Sequence, residues 1–368
     1  MRKLVGAALA VLLVVAVAAL FVLDRRSGSA DAAAGAGAVT TLRGVIGSEK
    51  EDFFADPRVR GALAEQGLAV EVDTAGSRQI ATDVDLDGYD FAFPSSAPAA
   101  QRIAERTGAT EVSSPFWSPM VVATHEPVVQ LLARNGAASQ DADGVWHLDL
   151  AAYLRMVREG VRWEDLEGAR ELYGSPRAVL ITSTDVRTSN SAAMYLAGAA
   201  WVLNGGGVVT TREQQEAVLP QLTHLFLAQG FSAASSDEPF DDYLSQGAGA
   251  VPLVMAYEAQ FVGEAARGTS RLGADAVLAY PDPTVASKHT LVALDPGAER
   301  LAELLATDPE LTALAAEHGF RTGDGSVLAR IAAQHGVGVQ RSLTDVADPP
   351  SFEVLEALID AVAAAHGG

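Results

Sequence analysis

Hydroxyl and amide donors recur in this sequence at places where a chain could aim them together. Gly47-Ser48-Glu49-Lys50, Thr74-Ala75-Gly76-Ser77-Arg78, Pro94-Ser95-Ser96 and the polar run 183–191, with Thr184, Arg187, Ser189 and Asn190, each follow an apolar stretch and open a helical one. Tyr257-Glu258-Ala259-Gln260 ends a fifth apolar run in the same way. A turn of this kind offers free backbone N–H groups, the positive end of a helix dipole and neutral hydroxyls, which together suit an anion or a polar head group. Arg78 or Arg187 would add a forked contact to a carboxylate or oxyanion, and Arg78, directly after Gly76-Ser77, is the better placed. Burying an oxyanion demands a full set of donors, so several of these loops would have to converge. Singly, Ser48 or Ser77 is better explained as a helix cap; repetition of the pattern argues for a site.

Catalytic chemistry finds less support. No G-x-S-x-G, H-E-x-x-H or Walker pattern occurs. There is no cysteine, which removes thiol catalysis, zinc–thiolate sites, disulfides and a lipid-attachment residue. The seven histidines (125, 147, 224, 289, 318, 335 and 366) lack metal-ligand spacing and read as surface or satisfied core residues. Asp83-Val84-Asp85-Leu86-Asp87-Gly88 imitates the start of a calcium loop, but Pro94 stands where such a loop needs its Glu. Glu49 and Glu258 would be paired carboxylates if their turns faced one another, an arrangement also common in purely binding clefts. No enzyme activity, cofactor or metal is expected.

The elements that must position these turns are short. Residues 42–46 read as a strand, 53–66 as a helix with Val59, Ala62 and Leu63 on its buried face, and 68–72 as a second strand. Strands follow at 89–93, 120–124, 178–182, 251–256, 276–280 and 289–294. Helices are expected near 99–107, 151–160, 192–203 and 213–229, and at 298–306, 310–318 and 352–365. Strands alternating with helices indicate an α/β class. The 368 residues suffice for two domains of ordinary size, and the formal charge of −21 argues against nucleic acid or an anionic membrane surface as partner.

At the N-terminus Arg2-Lys3 precede an uncharged apolar run, residues 4–23, followed by Asp24-Arg25-Arg26. Its 20 residues match a spanning helix of about 20 better than a signal-peptide core of about 7–15. Ala30-Asp31-Ala32 nevertheless has the form of a cleavage site. The expectation is a signal anchor or signal peptide at 1–26, a Gly/Ala/Ser linker at 27–40, and a body outside the cytoplasm, tethered to the cell membrane or secreted if the leader is cleaved.

The order of parts resembles a type II periplasmic (extracytoplasmic) solute-binding protein of the ABC-importer kind. The resemblance is carried by VIGSEK, TAGSRQIA, YDFAFPSS, SPMVVAT, VRWEDLEG, VLITSTDVRTSNSAAMYL, LVMAYEAQ and VLAYPDPTVASKHTLVAL, across about residues 42–320. It implies a two-lobed fold with two crossing hinge strands, near 120–124 and 276–280. Lobe 1 would comprise 41–120 plus 281–368, and lobe 2 would comprise 121–280. It further implies a small polar or anionic solute between the lobes, held by Ser48, Glu49, Lys50, Ser77, Arg78, Ser95, Ser96, Thr184, Arg187, Ser189, Asn190 and Tyr257. The chain would act as a monomer serving an ABC permease, or alternatively as a membrane-tethered sensor or interaction module docking another membrane protein. The segment beyond about residue 325 lies outside the resemblance.

Overall fold

Strand β1 (Thr40–Ile46) opens the fold and runs through a 3-10 turn (Ser48–Lys50) into α1 (Glu51–Ala55) and α2 (Pro57–Glu65). The computed structural model describes residues 39–230, 233, 236–323 and 325–366. The expected anchor and nearly all of the linker lie outside the described residues; among those described, no helix is long and apolar enough to cross a membrane. The single helix expected over 53–66 is two. Pro57 lacks an N–H and forces Asp56 out of the helical region (φ −60°, ψ 123°), and the Asp56 side chain then caps α2 by accepting from Arg58 N at 2.8 Å.

After β2 (Leu68–Thr74) come α3 (Ser77–Thr82), β3 (Phe91–Phe93), α4 (Ala97–Thr107) and the long strand β4 (Val112–His125). The middle of the chain holds α5 (Glu126–Arg134), β5 (Ala138–Gln140), β6 (Trp146–Asp149), α6 (Leu150–Glu159), a 3-10 turn (Trp163–Asp165), α7 (Asn190–Leu203), α8 (Arg212–Gln229), α9 (Asp237–Gln246), β7 (Leu253–Tyr257), α10 (Glu258–Ala266) and β8 (Ala276–Asp282). The chain closes with β9 (Ala286–Ala293), α11 (Pro296–Thr307), α12 (Pro309–Glu317), α13 (Gly325–Gln334) and α14 (Phe352–His366).

Two sheets share β4. Its first half pairs antiparallel with β9, beyond which lie β3, β1 and β2 in that order; its second half pairs antiparallel with β7 and β8, beyond which lie β6 and β5. Each sheet and its helices form one lobe, and the chain crosses between them within β4 and again between β8 and β9. Residues 119–125 of β4 are buried without alternation, as expected of a strand covered on both faces. Behind the first sheet Val45, Ile80, Ala92, Ile103 and Val292 cluster; on the second, Val121, Val254, Phe261 and Tyr280 do.

The strand expected at 178–182 is not built as one. Thr182 exchanges backbone hydrogen bonds with Leu253 and Met255 beside β7, but Ile181 N donates to the Tyr153 hydroxyl and Val179 N to the Val161 carbonyl, so the ladder does not propagate. The C-terminal segment binds both crossings. Arg321 pairs with Trp117 on β4, and residues 345–347 pair with Thr284 between β8 and β9. Helix α14 packs on α8 and α7 of one lobe and on α4 of the other.

Candidate functional site: a donor-lined cavity between the lobes

A cavity of about 160 Å³ lies where the strand-to-helix turns of both lobes meet. From the first lobe Gly47, Ser48 and Glu49 follow β1, and Thr74 through Ser77 follow β2. From the second, Thr188 through Ser191 lead into α7, Ser236 leads into α9, and Tyr257 ends β7. Two glycines allow this approach. A Cβ on Gly76 would lie 2.9 Å from the Thr188 carbonyl oxygen, and one on Gly47 would meet Ser95 Oγ at 2.3 Å. At Gly76 the turns of the two lobes converge because only glycine lets the backbone come this close to Thr188, while Gly47 leaves room for the Ser95 and Glu49 side chains.

The wall is held by hydrogen bonds between its own donors. Ser95 N donates to Ser77 Oγ at 2.9 Å, leaving the Ser77 hydroxyl hydrogen for a ligand. Asn190 Nδ2 donates to Tyr257 Oη at 3.0 Å and to the Ser95 carbonyl at 3.3 Å, a contact that joins the two lobes. Ser191 Oγ lies 2.8 Å from Thr184 Oγ1 and 3.0 Å from Ser189 Oγ. Burial first, then the charge of Glu49, keeps the Tyr257 phenol above its ordinary value, so it remains a neutral hydroxyl.

Of the twelve residues expected to contact a ligand, Ser48, Glu49, Ser77, Ser189, Asn190 and Tyr257 stand on this wall. Thr184 lies beneath it through Ser191, and the Ser95 side chain turns to Glu49 and Lys50. Ser96 lines a different cavity, beside Met194 and Lys288. Lys50 is fully buried below Glu49. The two arginines are elsewhere. Arg78 forks onto Glu356 of α14 and donates to the carbonyls of Val186 and Arg187, while Arg187 clasps Asp185. Among the described residues no Lys or Arg side chain lines the cavity, so what it offers an anion comes from neutral donors and helix starts. Thr188, Ser191 and Ser236 are wall residues that the sequence reading did not single out; Thr188 and Ser191 sit in the quoted loop, and only the fold separates them from their neighbours.

There are two buried acid–base clusters, of which the first reaches the cavity wall through Glu49. In the first, Lys50 Nζ contacts Glu49 Oε1, Ser95 Oγ at 3.0 Å and His289 Nδ1 at 3.1 Å; that Nδ1 is also 3.2 Å from Glu49 Oε1. Burial opposes a charged Glu49, but the adjacent Lys50 and His289 outweigh it and hold the carboxyl well below the usual carboxylate range. Burial, then the charge of Lys50, pushes His289 down to about 4, leaving it neutral at pH 7. In the second, Glu258 accepts from Arg321 Nε at 2.6 Å, from Arg321 Nη2 at 2.7 Å and from the Tyr280 hydroxyl. Glu49 and Glu258 thus belong to separate clusters and are not an opposed catalytic pair. His289 is buried among charges, which its isolated place in the sequence did not signal.

No protein-family profile and no curated protein matches this sequence. Solved structures do match. The sulfate-binding protein SubI from Mycobacterium tuberculosis H37Rv is similar at 16% identity and a TM-score of 0.50, over 87% of this chain and 98% of that one. A ferric binding protein from Campylobacter jejuni is similar at 9% identity and a TM-score of 0.54, over 89% and 98%. Iron-bound HitA from Pseudomonas aeruginosa is similar at 12% identity and a TM-score of 0.50, over 89% and 99%. At such identities the likeness is one of fold, and the fold is the two-lobed α/β architecture of type II periplasmic solute-binding proteins.

Proposed function

We propose that this protein binds a small polar or anionic solute in the donor-lined cavity between its lobes, without turning it over. The observation that carries the reading is convergence: turns from both lobes present hydroxyls and helix starts to one cavity of about 160 Å³ that, among the described residues, no basic side chain lines. Ser48, Ser77, Ser189, Asn190 and Tyr257 are the proposed contacts, with Ser191 and Ser236 beside them. The structural neighbours include binders of sulfate and of ferric iron. The donor set favours the anion: the wall holds one carboxylate and no histidine, and no group of three His, Asp or Glu able to hold a metal occurs among the described residues. Hinge motion at the two crossings would open the cavity, with 41–120 and 121–280 in opposite lobes. Anchored through residues 4–23, the body would work outside the cytoplasm as the binding component of an ABC-type system.

A thermal-shift screen of the full chain against oxyanions, amino acids, sugars and polyamines tests this. A solute at a hundred times its dissociation constant adds about 2.7 kcal/mol, a shift of roughly 3–4 °C for a chain of this size. Asn190→Leu removes the donor that joins the lobes and is expected to abolish the shift. Silence across the panel, or a shift that survives Asn190→Leu, rejects the reading and turns attention to a protein partner.

A further inference from the structure

Where the C-terminal segment binds the two crossings it leaves a hollow of about 520 Å³, which shares no lining residue with the interlobe cavity. Its floor is a cross-strand row. Trp117 of β4 stands directly opposite Lys288 of β9 and bridges to Arg321 on its other side, so the three side chains share one face. Arg321 is spent on Glu258 and lies over the Trp117 ring at 5.1 Å. Lys288 is not spent: among the described residues neither it nor Arg341, which lines the same hollow, makes an ion pair or a hydrogen bond. No Asp or Glu among the described residues lines this hollow, on a chain of formal charge −21. Thr322 is only 4% exposed, and its hydroxyl, on the same wall, has no partner among the described residues. Leu343 and Val346 add an apolar side. Past Lys288 and Val346, which line both, lies a second hollow of about 440 Å³. Pro98, Met194 and Pro350 wall it, together with Asp348 and the unpartnered hydroxyl of buried Ser96.

We infer that this hollow is a second binding site, for a small organic carboxylate with an apolar body. The carboxylate takes the charge of Lys288 and Arg341 and accepts from the Thr322 hydroxyl; the body lies along Trp117, Leu343 and Val346. The volume is that of an ordinary small-molecule site, and the lining is of the usual kind, mostly apolar with a few polar groups. A bare inorganic ion would leave the ring and the aliphatic wall unused. It would also be held weakly, because two exposed cations attract little through water. Two sources supply an apolar carboxylate. An aromatic acid would stay on the Trp117 ring, whereas an acyl chain would run past Lys288 into the second hollow, where a neutral chain meets no charge conflict with Asp348.

Titration calorimetry of the full chain with naphthoate, decanoate, naphthylmethanol and sulfate tests the inference. One or both carboxylates are expected to bind with a dissociation constant of about 10–100 µM, and the tighter of the two identifies the apolar body. Naphthylmethanol, which keeps the rings and drops the charge, is expected to bind about tenfold or more weaker. Lys288→Ala/Arg341→Ala is expected to weaken carboxylate binding about tenfold or more at an unchanged unfolding temperature, since both side chains are exposed. Asn190→Leu, in the interlobe cavity, is expected to leave carboxylate binding as it is, which keeps this result separate from the solute reading. Failure of both carboxylates to bind at millimolar concentration overturns the inference. So does binding that persists in the double variant, as uptake by the apolar N-terminal run would. Naphthylmethanol binding as tightly as naphthoate, or sulfate displacing the carboxylate at equal concentration, overturns it by removing the need for one half of the ligand. Loss of binding in Asn190→Leu overturns it by moving the carboxylate to the interlobe cavity.

Discussion

Glu258 and Glu49 are both buried acids paired with a buried base, and they are spent differently. Glu258, first residue of α10, lies under the Arg321 fork and the Tyr280 hydroxyl, while Arg321 also reaches the Gln340 carbonyl and covers the Trp117 ring at 5.1 Å. Both carboxylate oxygens have partners, and the group sits where the C-terminal segment meets the crossing strand. Glu49 is half used, on a cavity wall. A buried ion pair with both carboxylate oxygens engaged is costly to break, whereas one with an oxygen left over on a cavity wall is tied less fully into the fold.

The sharpest way to break that contrast is Arg321→Met. It leaves the Glu258 carboxylate buried without its main partner, a loss of about 3–5 kcal/mol, seen as a thermal midpoint lower by roughly 4–7 °C. Solute preference should not change. Pairing the substitution with Glu258→Met should recover much of the loss, since two apolar side chains desolvate more easily than one orphaned charge. A drop of only a degree or two for the single variant would mean that the hinge cluster is decoration.

Next in size is a pH effect that only the Glu49 cluster should show. The charged groups facing His289 are Lys50 and Glu49, both at its Nδ1, and the rings of Phe320 and Tyr257 pack beside it. Its folded pKa, about 4, lies below the ordinary 6.5, so the unfolded chain binds the extra proton first. Stability is therefore complete above about pH 6.5 and is lost as pH falls toward 4, by about 3 kcal/mol in all. Glu49, whose folded value is also depressed, adds a further loss below its ordinary 4.5. Thermal midpoints measured from pH 7.5 to 4 should fall in the wild type and flatten between 6.5 and 4.5 in His289→Gln. An equal slope in both would assign the acid limb to other groups.

These clusters mark the limit of what the sequence discloses. Strand, Gly/Ser turn and helix are local signals, so β1, β2 and the turns after them are legible, as are α11, α12 and α14 close to their observed bounds. The two sheets sharing β4 follow from the order of parts. The direction of a long side chain is not local. Arg78 looked like a ligand residue because it follows Gly76-Ser77, yet its partner Glu356 lies 278 positions away on a helix outside the resemblance. His289 gave no signal because one histidine in an apolar strand reads the same whether it packs on a phenyl ring or on a lysine.

The Arg78–Glu356 fork is a third pair, at the rim, and should matter less to stability and more to kinetics. Both side chains are partly exposed, at 16% and 19%, so the pair is worth about 1 kcal/mol or less. It nevertheless ties α3 to α14, while the remaining Arg78 nitrogen holds the carbonyls of Val186 and Arg187 in the opposite lobe. On the proposed closing motion these contacts must break for release. Glu356→Gln is then expected to speed solute dissociation by about three- to fivefold in stopped-flow measurements, with little change in unfolding. Unchanged dissociation would place the opening motion elsewhere.

The smallest effect belongs to Arg187, which the resemblance implied as a ligand contact. Its guanidinium is about half exposed and clasps the Asp185 carboxylate two residues earlier, whose Oδ1 also receives the Arg187 backbone N–H at 2.8 Å. Arg187→Ala keeps that backbone bond, and with it the turn that delivers Ser189 and Asn190 to the cavity. The bound solute would meet the same hydroxyls and helix start as before. Affinity is therefore expected to change less than about twofold, with no resolvable shift of the midpoint, as for most surface substitutions. A tenfold loss would show that the cation reaches the solute after all, and that the contrast between a neutral cavity and charged clusters around it is drawn in the wrong place.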